Sequence, residues 1–150
     1  MVLAVDPGRA KCGLAVVLES GRCLHRDVVD AERLAAEVGA LLRRHPDVER
    51  VLVGSGTGSK DARTALAAYF PDRTLETVDE HRTSERARAR YLAEHRPAGW
   101  RRLLPSPLRV PETAYDDYVA VILAEDYFAR RAALTPSPSP GAAGEGGKMG

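Results

Sequence analysis

Four apolar residues, Val2-Leu3-Ala4-Val5, end on a carboxylate, Asp6, and Pro7-Gly8 then turns the chain. A short apolar run stopped by a turn signal is the pattern of a buried strand. An Asp at the end of such a strand sits at the rim of a sheet, where open α/β folds keep their chemistry. Gly13 and the run Leu14-Ala15-Val16-Val17-Leu18 follow at once. The chain therefore leaves Asp6 through a tight loop and returns as a second strand, and the rest of the sequence is a search for what meets Asp6 in space.

Gly13 to Leu18 and Cys23 to Val28 read as the second and third strands, joined at Glu19-Ser20-Gly21-Arg22, where Gly21 can take the positive φ of a hairpin turn. Asp30 is placed to cap a helix in which Leu34, Val38, Leu41 and Leu42 recur at helical spacing, ending at His45-Pro46. Val51-Leu52-Val53 is a short buried strand. Gly54-Ser55-Gly56-Thr57-Gly58-Ser59 is a flexible loop, followed by a helix from Lys60 or Asp61 to Tyr69. Thr74 to Val78 is the fifth strand and runs into Asp79-Glu80; Thr83 or Ser84 then caps a helix reaching about His95. The prolines between Arg96 and Thr113 exclude helix and central strand, which predicts a long loop. Tyr115 to about Ala133 is the last helix. Residues 1–133 form one domain on this reading, and the Pro/Ser/Gly-rich residues 134–150 form a disordered tail. A three-strand meander followed by alternating strands and helices implies an α/β fold with a mixed five-stranded sheet, three strands antiparallel and two parallel, flanked by helices. That order is the ribonuclease H-like arrangement.

The chain has 150 residues, enough for one domain with a core, and 44% are hydrophobic. No apolar run approaches a membrane span, and there is no basic start followed by an apolar run and a cleavage site. We expect a cytoplasmic protein without membrane contact. Cys12 and Cys23 do not make a disulfide framework and read as free thiols.

Three carboxylates fall at special places. Asp6 ends the first strand, Glu80 follows the fifth, and Asp116 lies in the first turn of the last helix. Each has an ordinary explanation: a turn starter, a surface acid ahead of a cap, a helix N-terminal acid favoured by the dipole. Together they converge in this topology, and converging carboxylates repel unless a cation neutralises them. Hard oxygen ligands select Mg²⁺ or Mn²⁺, and a pair of such ions about 4 Å apart can activate water for phosphodiester cleavage. Asp116 and Asp117 compete for the third position. Asp116 shares a helix face with Ala120, Leu123 and Tyr127; Asp117 shares one with Val121, Ala124 and Phe128, which is almost as apolar. Periodicity leaves both open.

Asp6-Pro7-Gly8 with Lys11, Gly13 and Ala15-Val16 resembles the opening motif of the RuvC and YqgF/RuvX resolvase-like nucleases. Val78-Asp79-Glu80-His81-Arg82-Thr83 resembles the YqgF motif Asp-Glu-Arg-x-Thr-Thr, and Asp116-Asp117-Tyr118-Val119-Ala120 resembles that family's closing Asp-x-x-x-Ala helix, whose register selects Asp116. The likeness spans residues 1 to about 130. It implies a ribonuclease H-like fold, a two-metal site of Mg²⁺ or Mn²⁺ on Asp6, Glu80 and Asp116, and cleavage of Holliday-type branched DNA or of a structured precursor of 16S ribosomal RNA. The sequence departs from the pattern at Gly54-Ser55-Gly56, where the family has Gly-Leu-Pro, at His81 and Ser84, and at Thr113, where RuvC itself would carry a fourth carboxylate.

Net charge is +1, but between Arg82 and Arg109 there are eight arginines and two glutamates, against fourteen basic and nineteen acidic residues elsewhere. Arg82, Arg86 and Arg90 repeat every four residues as one helical stripe that would hold a phosphate backbone beside the metal site. Trp100 with Arg101 and Arg102 would stack on an unpaired base, or Trp100 would plug the loop onto the core. Lys11 and Lys60 are further phosphate contacts. Three readings follow. The first is a metal-dependent nuclease, monomeric or weakly dimeric. The second is a nucleic-acid-binding module of the same fold without catalysis. The third, a sugar kinase or actin-like ATPase, needs two such domains and is disfavoured by length.

Overall fold

The computed structural model describes residues 1–80, 83–95 and 116–135. Its five strands are β1 (Val2–Pro7), β2 (Lys11–Val17), β3 (Cys23–Asp30), β4 (Arg50–Gly54) and β5 (Thr74–Val78), in one sheet of order β3-β2-β1-β4-β5. β2 pairs antiparallel with β1 and with β3, while β1, β4 and β5 run parallel. This is the mixed α/β sheet expected from the meander and its alternating continuation. Gly21 carries the β2–β3 turn at φ +85°, with Leu18 N–H donating to the Arg22 carbonyl at 2.9 Å.

Side chains alternate across a strand, and this alternation divides the core in two. Leu3, Val5, Leu14, Val16, Val51 and Val53 pack on one face against α1 (Leu34–Arg44) and α2 (Ser59–Tyr69), through Leu34, Val38, Leu41, Leu42, Ala62 and Leu66. Val2, Ala4, Ala15, Val17, Leu52 and Val78 pack on the other face against α3 (Thr83–Glu94) and α4 (Asp116–Leu134). The small Ala4 and Ala15 let α4 lie close on the sheet, and seven successive α4 residues, Tyr118 to Ala124, are buried. Among the described residues no helix is long and apolar enough to cross a membrane.

Asp30 does not cap the first helix. Its carboxylate is taken by Lys11 Nζ at 2.8 Å, and it accepts no helical N–H; a single 3₁₀ turn, Ala31–Arg33, leads into α1 instead. β1 and β3 extend two residues beyond the expected ends, since Asp6 still pairs with Gly13 and Pro7 with Cys12. Arg82, Thr113, the segment carrying Trp100, Arg101 and Arg102, and the tail from residue 136 lie outside the described residues.

Candidate functional site

Asp6 shares its sheet face with Val2 and Ala4, so it points toward α4 from the carboxyl end of β1. Parallel β4 and β5 end at the same edge, where Gly54 pairs with Val78 and Glu80 follows two residues later. β4 lies between β1 and β5, so Gly54 separates the two acidic strand ends. A side chain there would collide with the Glu80 carboxylate. Across β1, Asp6 is registered with Gly13 of β2. A side chain at Gly13 would strike the backbone carbonyl of Asp116, so the bare β2 residue admits the first turn of α4 beside Asp6. Glycine thus stands on both flanks of Asp6, and one acid enters over each.

The electrostatics carry the mark of this convergence. The Asp6 carboxyl is pushed up to about 8, first by burial, then by the charges of Glu80 and Asp116, and by a hydrogen bond with the Glu80 carboxyl. Asp116 is also raised, by burial and then by its neighbour Asp117. Glu80 Oε1 is buried and has no hydrogen-bond partner among the described residues. An orphaned carboxylate oxygen in contact with another acid calls for a shared proton or a cation. No three His, Cys, Asp or Glu side chains among the described residues are drawn together as a ready-made metal cage. The site offers a carboxylate pair in contact and a third acid whose charge reaches it. That donor set, all hard oxygen with one lone oxygen uncompensated, fits a small divalent ion of the Mg²⁺ or Mn²⁺ type.

Asp116 and Asp117 separate in three dimensions. Asp117 Oδ2 lies 3.5 Å from Arg26 Nε of β3, which partly offsets the burial that raises its carboxyl. Arg26 also sits 4.1 Å over the Tyr118 ring, and Tyr118 Oη donates to Glu94 Oε2 of α3 at 2.7 Å. Asp117 therefore belongs to a clamp joining β3, α3 and α4, and Asp116 is the acid whose charge is felt at Asp6. Thr83, wholly buried, fixes Glu80 from the other side: its N–H and hydroxyl donate to the Glu80 carbonyl at 3.0 and 2.8 Å.

Of the expected basic stripe, Arg82 lies outside the described residues, and Arg86 and Arg90 are both paired with acids. Arg86 donates to both oxygens of Asp126 at 2.8 Å, and Arg90 reaches Glu125 at 2.8 Å and Glu94 at 3.6 Å. These arginines stitch α3 to α4 instead of presenting free charge. Lys11 is likewise held by Asp30. Lys60 is exposed in the first turn of α2, beside the Gly54–Gly58 loop, and forms no ion pair among the described residues. Cys12 and Cys23 are both free; Cys12 is buried, with Sγ 3.8 Å from the Gly8 carbonyl. The sequence reading passed over Gly13, Gly54 and Gly56 as site residues. Gly13 could be found from the strand register, since it stands opposite Asp6, whereas Gly54 pairs with Val78 and Gly56 lies beyond the strand end.

No protein-family model matches the chain, and no curated protein sequence matches it. Among solved structures, Thermus thermophilus RuvC in complex with a Holliday junction substrate matches with a TM-score of 0.57 at 16% identity, over 89% of this chain and 96% of that one. A further T. thermophilus RuvC structure matches with a TM-score of 0.51 at 21% identity, over 87% and 95%. The fold is RuvC-like. At these identities the likeness concerns architecture, and what the RuvC-like chain does must be argued from its own residues.

Proposed function

We propose that the chain is a divalent-metal-dependent nuclease that cleaves phosphodiester bonds in branched DNA. The observation that supports this best is the buried, donorless Glu80 Oε1 on a carboxyl that is hydrogen-bonded to Asp6 at the strand edge, with the Asp116 charge also felt at Asp6. Asp6, Glu80 and Asp116 would hold Mg²⁺ or Mn²⁺. Such an ion supplies Lewis-acid activation of water and neutralises charge at phosphorus. The chain's own contribution is placement. Gly13 admits Asp116 next to Asp6, Gly54 admits Glu80, and Thr83 anchors the Glu80 backbone. Lys60 is placed to hold a phosphate of the bound strand. The RuvC neighbour's Holliday junction substrate supports branched DNA as the target, and the sequence motifs also resemble the YqgF/RuvX group, for which structured ribosomal RNA precursor is the alternative substrate.

The binding module without catalysis draws on one observation, the lack of a preformed three-ligand cage among the described residues. Labelled four-way DNA junctions, linear single strands and a structured RNA, each incubated in Mg²⁺ and Mn²⁺ with Asp6→Asn in parallel, separate the readings. Metal-dependent cleavage of junctions that vanishes in Asp6→Asn is the expected result. Preferential RNA cleavage moves the substrate to RNA, and binding by both proteins with no cleavage of any substrate establishes the binding module.

A further inference from the structure

Glu80 is seated on glycine from two sides. Side-chain positions built at Gly54 and at Gly56 both fall on its carboxylate, the first against Oε1 and the second against Oε2. The Glu80 backbone has little freedom to yield, so a side chain at 56 would be met by turning the carboxylate away from Asp6. Glu80 Oε1 is buried, the Glu80 N–H lies 3.4 Å from Ser55 Oγ, and the Glu80 carbonyl accepts from Thr83 N–H and Oγ1. Ser55 N–H in turn donates to the Val78 carbonyl at 3.0 Å, so the loop is laced to the chain from the end of β5 to Glu80.

Backbone conformation does not demand glycine here. Among the described residues positive φ belongs to Gly21 and Gly58, not to Gly54 or Gly56. An L-residue fits the backbone at 56, and only the space filled by the Glu80 carboxylate excludes it. Gly54 lies within β4, where a substitution also disturbs the sheet. Gly56 lies beyond the strand end and falls in the stretch where the sequence departs from the Gly-Leu-Pro of the family it resembles.

We propose that Gly56 is a positioning residue of the carboxylate site: its missing side chain is the seat that holds Glu80 against Asp6, and cation affinity depends on that seat. The proposal rests on the reading of Asp6, Glu80 and Asp116 as a cation site.

The test uses the full chain as wild type, Gly56→Ala, Glu80→Ala and the double variant. Metal-free melting temperature and Mn²⁺ titration, followed by the paramagnetic signal of free Mn²⁺, are both read. In the wild-type background Gly56→Ala lowers the metal-free melting temperature by about 3 °C or more. In the Glu80→Ala background the carboxylate is gone, and the same change leaves the melting temperature unchanged or raises it, because alanine restricts the unfolded chain. Gly56→Ala alone weakens Mn²⁺ binding by at least about tenfold, the range found when groups that orient metal ligands are altered. If Gly56→Ala alone does not fold, recovery of a cooperative transition in the double variant is the same result in stronger form. Equal losses of melting temperature in both backgrounds, or undiminished Mn²⁺ affinity in Gly56→Ala, overturn the proposal. Wild-type protein that binds no Mn²⁺ overturns the cation reading, while the reversal in melting temperature still decides whether Gly56 seats Glu80.

Discussion

Replacing Asp6 by Asn should make the metal-free protein more stable at alkaline pH. The folded state raises Asp6 from its ordinary 3.8 to about 8, through burial and the charges of Glu80 and Asp116. Between those two values the folded chain binds a proton that the unfolded chain has released, so stability falls as pH rises through that window. Each tenfold change in proton affinity corresponds to about 1.4 kcal/mol, so the full displacement is on the order of 6 kcal/mol. Asp6 interacts strongly with the charges around it, so part of this, about 2–4 kcal/mol, is recovered by the single substitution above pH 8. Asn also places an N–H donor beside the Glu80 carboxylate. Urea unfolding of metal-free wild type and Asp6→Asn from pH 4 to pH 9 measures this. The wild-type midpoint should fall across the window, the variant's should be flatter, and the two should converge toward pH 4. A variant less stable than wild type at pH 8.5, or a wild-type midpoint that rises with pH, refutes the convergence of acids on Asp6.

Gly13→Ala sets a methyl against the Asp116 backbone carbonyl, where neither backbone can step aside; thermal unfolding should show a loss of more than about 2 kcal/mol. Leu123→Ala empties a fully buried position between α4 and the sheet and should cost about 3 kcal/mol by urea unfolding. Lys60→Ala should weaken binding to a DNA junction and lower the slope of log affinity against log salt by about one. Arg86→Ala, which removes an α3–α4 ion pair, should alter stability by up to about 1 kcal/mol and leave the salt slope nearly unchanged.

The strands were legible because their signals are local. Thr74–Val78 lies between charged residues and is found with those ends, and the apolar run ending on Asp6 is the first parallel strand. The choice between Asp116 and Asp117 was not legible, because α4 buries seven consecutive residues and offers periodicity no polar face to read there. The deciding partner, Arg26, comes from β3 and leaves no trace in the spacing of the helix. The ion pairs of the arginine stripe were hidden for a related reason. A row of cations at every fourth position looks the same whether it faces solvent or acids, and Glu125 and Asp126 lie 35 and 40 residues further along the chain. Asp30 reads as a cap in sequence, yet a lysine on the paired strand holds its carboxylate first. Gly54 and Gly56 looked like loop punctuation because what fills the space beside them, the Glu80 carboxylate, comes from beyond the end of another strand.

The central claim, that three acids from β1, the end of β5 and the start of α4 share one cation, is tested most directly by calorimetric titration of Mn²⁺ into the full chain. Wild type, Asp6→Asn, Glu80→Gln, Asp116→Asn and the control Asp117→Asn are compared at one pH. The account predicts that each of the first three substitutions weakens Mn²⁺ binding by at least about tenfold and that Asp117→Asn, whose carboxylate is spent on Arg26, changes it little. Equal Mn²⁺ affinity in wild type and Asp6→Asn, or a loss confined to Asp117→Asn, would contradict it.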